Sequence, residues 1–118
     1  MNVLLVDDHA LFRAGLASLL KAWGLQVVAQ ASNGEEAVAK TRELHPDLIF
    51  MDINMPRLNG IEATRSIKSK FPNIQIIGLS VQNEDDVMES MKKAGARTLL
   101  NKAGDPQDLI QTILSCRL

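Results

Sequence analysis

The chain has 118 residues, of which 46% are hydrophobic, and so suits one domain able to bury about two thirds of its unfolded surface without a disulfide or structural metal. Thirteen basic residues against fourteen acidic leave a formal charge of −1, which argues against a domain that itself grips nucleic acid through a basic face. The single cysteine, Cys116, has no internal partner, and the apolar runs fall far short of a membrane span. Met1-Asn2 leads directly into the first apolar run, so no signal peptide is expected. The expectation is one cytoplasmic domain over residues 1–118, without membrane contact.

Short apolar runs alternate with amphipathic stretches. Val3 to Val6 reads as a strand and runs straight into Asp7-Asp8. Leu11, Ala14, Gly15 and Ser18 to Leu19 mark a first helix, with Trp23 half buried after it. Leu25 to Ala31 is the second strand. Ser32-Asn33-Gly34-Glu35-Glu36 then offers a cap followed three positions later by a carboxylate, with either Ser32 or Asn33 as the cap. Ala37, Val38 and Thr41 to Leu44 mark the second helix, which Pro46 stops. Leu48 to Met51 is a third strand, and it ends in Asp52.

A third helix stops at Pro72, and Ile74 to Leu79 forms the fourth strand, ending in Ser80. Asn83 precedes the acidic turn Glu84-Asp85-Asp86, whose charges suit the positive end of a helix dipole. Met88 and Met91 pack one face of that fourth helix, and Gly95 closes it. Leu99-Leu100 is a weak fifth strand leading to Lys102. Asp105-Pro106 opens a last helix with a cap and a proline at its first position, and Cys116 lies in that helix as a packing or partly exposed residue.

Five β-α units in this order imply an α/β fold, a parallel sheet with right-handed crossovers and helices on both faces. Such sheets bind ligands at the carboxyl ends of their strands. Asp7, Asp8, Asp52, Ser80 and Lys102 all fall at or just past those ends. Each alone has an ordinary explanation as a turn, cap or surface residue; their convergence does not. His9 reads as a neighbour of this group rather than a participant.

Three carboxylates so close repel one another by several kcal/mol at low dielectric, so a cation is required among them. Hard oxygen ligands suit Mg2+. Lys102 adds a point charge and Ser80 a hydroxyl donor. A carboxylate, a divalent ion, an ammonium and a hydroxyl make a complete set for phosphoryl transfer to the carboxylate, which needs no general base because it is already ionised.

Asp7-Asp8, the run Met51-Asp52-Ile53-Asn54-Met55-Pro56-Arg57-Leu58-Asn59-Gly60, Ser80 and Lys102 together resemble the receiver domain of two-component response regulators, over the whole chain. The stretch Val6 to Leu16 is similar to receivers that precede a LuxR-type helix-turn-helix output domain. The resemblance implies a flavodoxin-like sheet of order 2-1-3-4-5. It implies that Asp52 accepts a phosphoryl group from a sensor histidine kinase. Asp8 and Asp52 then ligate Mg2+ directly, with the backbone carbonyl of Asn54, and Asp7 acts through water. Ser80 and Lys102 meet the phosphoryl oxygens, and the change spreads through Ser80, Val81 and Leu99 to an output, expected to be transcription. Such a domain is a phosphoacceptor switch rather than an enzyme, promoting its own phosphorylation and dephosphorylation. Gly60 is expected to supply a backbone conformation that other residues avoid.

Departures from the family pattern lie in the relay. Leu99 stands where many members carry an aromatic, and the chain has no Tyr. Val81 is bulkier than the small residue frequent there, which predicts slower loss of the phosphoryl group. Ala103 follows Lys102 where the family often has a cis proline; a cis bond to alanine costs about 3 kcal/mol, so the bond is trans or strained. The output domain is expected to be absent from this chain, so DNA would be reached only through it. Homodimerisation has two candidate faces, the fourth helix with the fifth strand and fifth helix, or the first and fifth helices. The competing function is a phosphorylation-independent interaction module on the same fold. An aspartate-nucleophile phosphatase is disfavoured by Asn54, where a second Asp is needed, and a flavin site by acids where a phosphate-binding loop needs amides.

Overall fold

The computed structural model describes residues 1–81 and 85–116. Its elements alternate as β1 (Asn2–Val6), α1 (Ala10–Ala22), β2 (Gln26–Ala31), α2 (Gly34–Leu44), β3 (Leu48–Asp52), α3 (Gly60–Lys70), β4 (Gln75–Ser80), α4 (Asp85–Ala94), β5 (Thr98–Asn101) and α5 (Pro106–Cys116). The strands form one parallel sheet in the order β2-β1-β3-β4-β5, as the resemblance implied. β1 and β3, at and beside the centre, are buried almost throughout, which explains their unbroken apolar runs. Order reverses between β1 and β3, so the crevice beyond their carboxyl ends is where a ligand site belongs.

Two apolar layers cover the sheet. On one face Leu4, Val6, Ile49, Met51 and Ile76 meet Ala37, Ile67 and Met91 from α2, α3 and α4. On the other, Val3, Leu5, Phe50, Ile77 and Leu79 meet Leu16, Leu20, Ile113 and Cys116 from α1 and α5. Met91 is buried and Met88 packs beside it, as expected. Cys116 is fully in the core, and burial pushes its thiol pKa up, which makes it a packing residue rather than a reactive one. Among the described residues, no helix is long and apolar enough to cross a membrane.

The stripe read on α1 needs correction. Leu11 is 88% exposed and Ala14, Gly15 and Ser18 also face outward, whereas Phe12, Leu16, Ala17 and Leu20 face the sheet. Two apolar stripes one residue apart run along this Leu-rich helix, and only the sheet distinguishes them. Capping resolved as a shared task. Asn33 Oδ1 accepts from Glu36 N, and the Glu36 carboxylate accepts from the Ser32 N–H, which holds its pKa below the usual carboxylate value. Asp105 Oδ1 accepts from Gln107 N at the start of α5. The cap assigned to Asn83 lies outside the described residues.

Candidate functional site

Asp7, Asp52, Ser80 and Lys102 are each delivered by a strand end. Asp7 follows β1 directly, and its N–H continues the β1–β2 ladder to Ala31 O. Asp52 is the last residue of β3, paired with Leu79 of β4. Ser80 ends β4 opposite Asn101 of β5. The Lys102 N–H donates to Ser80 O at 2.8 Å, which fixes the lysine backbone beside the serine.

The carboxylates and the ammonium meet. Lys102 Nζ lies 2.7 Å from Asp7 Oδ2 and 3.3 Å from Asp52 Oδ1, with all three side chains nearly buried. Asp7 Oδ1 also accepts from the His9 N–H at 2.8 Å, and Arg13 Nη1 donates to Asp7 O. Donor atoms from Asp7, Asp8, His9 and Asp52 all fall within 4.8 Å of one another. The cation required by the sequence is therefore Lys102, at least in part. Three carboxylates against one ammonium still leave room for a dication, and the donor set of hard oxygens fits one.

Asp52 shows the tension in its pKa, which is pushed up to about 6. Burial is the main cause, with the Asp7 charge adding to it; Lys102 pulls the other way, and a hydrogen bond with Asp8 raises it further.

The loop after Asp52 is built by close backbone approach. A Cβ on Gly60 would stand 2.1 Å from Asp52 O and 2.8 Å from Ile53 Cα, and the Gly60 N–H donates to Ile53 O at 2.9 Å. Gly60 is thus required for space, and its φ is not positive; the left-handed residues of this loop are Arg57 and Leu58, at φ 51° and 78°. A Cβ on Gly34 would likewise meet Leu58 O at 2.1 Å, while Glu35 N donates to Arg57 O. Asn54 lies on the same loop with its side chain exposed.

Two departures from the family pattern have local explanations. The Lys102–Ala103 bond is trans, and the Ala103 N–H donates to Asn101 Oδ1 at 2.8 Å, a bond no proline could make. Leu99 is buried in the core on the α4 side: a Cβ on its partner Gly78 would stand 2.7 Å from Leu99 Cδ1 and 2.9 Å from Met91 Cε. Val81 is 61% exposed.

Sequence reasoning missed one neighbour. The Phe12 ring lies under Lys102 Nζ, 5.0 Å from centroid to nitrogen, and gives the buried ammonium a favourable face. Its i, i+4 spacing to Leu16 was the available signal. His9, read as a neighbour of the group, is one: its Nδ1 lies 3.3 Å from Asp8 Oδ1.

The response regulator receiver domain family matches residues 3–114. Response regulator GacA of Pseudomonas viridiflava is 40% identical over 114 residues, covering 96% of this chain and 53% of that protein. Response regulator UvrY of Escherichia coli K12 is 41% identical over 116 residues, covering 98% and 53%. The chain thus spans about half the length of these relatives. Among solved structures, a LuxR-family two-component response regulator from Aurantimonas sp. SI85-9A1 superposes with TM-score 0.92 at 34% identity, covering 97% of this chain and 82% of that one. The CheX–CheY–BeF3–Mg2+ complex from Borrelia burgdorferi matches with TM-score 0.92 at 28% identity, covering 98% and 87%.

Proposed function

The chain belongs to the response regulator receiver family of two-component signalling, and from that premise we propose that it takes a phosphoryl group onto Asp52 from a sensor histidine kinase and changes conformation to control an output. The observation that carries this reading is Lys102 Nζ set between Asp7 Oδ2 and Asp52 Oδ1 at the carboxyl edge of the sheet.

An Asp52 carboxylate oxygen attacks phosphorus while the bond to the kinase histidine nitrogen breaks, and that nitrogen leaves with the electron pair. Lys102, already within reach of Asp52, stays in place to meet the incoming phosphoryl oxygens. Asp7 anchors it there, so that the ammonium need not be recruited from solvent. Asp7, Asp8, Asp52 and the Asn54 backbone carbonyl would hold Mg2+, an ion also present in the Borrelia CheY complex. The bound ion supplies charge neutralisation for the carboxylates and the transferring oxygens. The Ser80 hydroxyl, at the neighbouring strand end, hydrogen-bonds a phosphoryl oxygen and draws Val81 toward the site. The acyl phosphate later hydrolyses on the same scaffold.

Output is transcriptional and cytoplasmic in this reading, in keeping with the likeness to a LuxR-family response regulator. A groove of about 440 Å³ lined by Phe12, Leu16, Leu100 and Leu109 draws on α1, β5 and α5, and so on both candidate contact faces.

The test is intact mass after incubation with Mg2+ and acetyl phosphate. Wild type should gain one phosphoryl group, and Asp52→Ala or added EDTA should abolish the gain. No gain in wild type would favour the interaction-module reading instead.

A further inference from the structure

We propose that His9 Nδ1 is an inner-sphere ligand that makes the acidic pocket a site for first-row transition dications such as Co2+, Ni2+ and Zn2+. This rests on the reading of that pocket as a cation site.

Three observations converge on His9. It occupies the N-cap of α1, a position where Ser, Thr, Asp or Asn usually closes the helix, yet its side chain makes no capping bond. The imidazole is turned toward the carboxylates instead, with Nδ1 3.3 Å from Asp8 Oδ1 and 3.6 Å from Asp7 Oδ1. Its backbone is pinned there by the 2.8 Å bond from His9 N to Asp7 Oδ1, so the ring is anchored beside the pocket.

The distances suit shared coordination. Metal–donor bonds of about 2.0–2.2 Å place donors of one ion roughly 3 to 4.4 Å apart. The donors of Asp7, Asp8, His9 and Asp52 already lie within 4.8 Å of one another. Closing the remainder takes a small rotation of a ring whose side chain is 72% exposed. An imidazole nitrogen adds little for Mg2+, which prefers oxygen, but much for Co2+, Ni2+ or Zn2+. A pocket of carboxylates alone holds the hard ion, and His9 lets this chain discriminate in favour of the softer ones. The other histidine, His45, packs edge-on against the Phe71 ring and caps α2. Buried Cys116 offers no competing thiolate.

The competing role for His9 is positional, with Nδ1–H donating to Asp8 and merely orienting it. The experiment separates the two. Untagged wild type, His9→Ala and His9→Gln are titrated with Mg2+, Co2+ and Ni2+ by calorimetry, and Co2+ d–d absorption is recorded. Ligation predicts that both variants lose about tenfold or more in Co2+ and Ni2+ affinity, keep Mg2+ affinity within about twofold, and lose the nitrogen-donor signature in the Co2+ spectrum. Equal losses for all three ions, with rescue by His9→Gln, would overturn ligation and leave only orientation. Normal Mg2+ binding with no His9 dependence for any ion would overturn the inference while sparing the proposed function. Failure of wild type to bind any of the three ions would overturn both.

Discussion

Lys102 Nζ is closer to Asp7 Oδ2, at 2.7 Å, than to Asp52 Oδ1, at 3.3 Å, so the lysine is tethered primarily by the acid that is not the proposed acceptor. Asp7 therefore acts on Asp52 in two opposed ways, through its own charge and by holding a cation nearby. Repulsion from Asp7 is the second largest cause of the raised Asp52 pKa. Asp7→Asn should remove that repulsion and free Lys102 to pair with Asp52. The Asp52 pKa should then fall below its value of about 6, as read from the carboxyl carbon in a metal-free NMR titration. An upward shift would mean that Lys102 leaves the site when its anchor is lost.

Removal of Lys102 leaves nearly buried carboxylates without their ammonium. Lys102→Met keeps much of the side-chain volume and its contact with Phe12, so the change isolates the charge. In EDTA near neutral pH, urea unfolding should show a loss of about 3–5 kcal/mol. Much of that loss should return when Mg2+ is added. A loss under about 1 kcal/mol would show that the pair is solvated in solution, as exposed pairs are.

Asp52 itself should destabilise the metal-free fold at neutral pH. Its folded pKa of about 6 stands above the reference value of 3.8. Below both values the group is protonated in both states and carries no penalty. As pH rises from 3.8 through 6, the unfolded chain ionises first and stability falls, reaching its full deficit above the folded pKa. Asp52→Asn should then be about 1–3 kcal/mol more stable than wild type in EDTA at about pH 7.5, less whatever Lys102 loses with its partner. The advantage should vanish near about pH 4. Thermal melts at the two pH values check both the sign and the window.

The strand ends were legible because each joins an apolar run to a polar residue within a few positions, as Val6-Asp7 and Met51-Asp52 do. Parallel topology then forces those ends to one edge, so Asp7, Asp52, Ser80 and Lys102 could be gathered without coordinates. What depended on distances between segments was not legible. The inward face of α1 turned on which of two apolar stripes meets the sheet. The role of Gly60 turned on Asp52 O passing 2.1 Å from where a Cβ would stand, a distance no local motif records. His9 could be placed near the pocket by sequence adjacency alone, but the turn of its ring toward Asp7 and Asp8 could not.

Gly60 and Gly15 should respond oppositely to the same substitution. Gly60→Ala drives a Cβ into the Asp52 and Ile53 backbone, which has no flexible atom to yield. The loop must shift, costing about 1–3 kcal/mol or more and moving the acceptor, so Mg2+ affinity should fall with stability. Gly15 lies mid-helix on the exposed side of α1 with nothing within 4 Å of an added Cβ. Gly15→Ala should stabilise by about 0.5–1 kcal/mol and leave Mg2+ affinity unchanged. Paired chemical denaturation and calorimetric titration of both variants give the four values.

Leu99 should behave first as core. It is buried against Met91 and opposite Gly78, whose missing Cβ makes room for it. Leu99→Ala should cost about 2–5 kcal/mol by leaving a cavity under α4. A loss below about 1 kcal/mol would point to a loosely packed side chain free to swing. Phosphoryl uptake from acetyl phosphate, measured by mass at a temperature where the variant stays folded, should persist, because Leu99 makes no part of the carboxylate and lysine cluster.

Val81 bears on how long the phosphoryl group survives. It follows Ser80 directly at the end of β4, and its side chain is 61% exposed, so it contributes little to the core. Substitution should therefore leave stability within about 0.5 kcal/mol of wild type. A water that hydrolyses the acyl phosphate must approach phosphorus opposite the Asp52 oxygen, and a branched side chain beside Ser80 restricts that approach. Val81→Ala should shorten the phosphoryl half-life, whereas Val81→Thr, nearly equal in shape, should change it less. Decay of the phosphorylated mass after removal of acetyl phosphate gives both rates. An unchanged half-life in Val81→Ala would eliminate the steric account, since no other property of the site is altered by the loss of two exposed methyl groups.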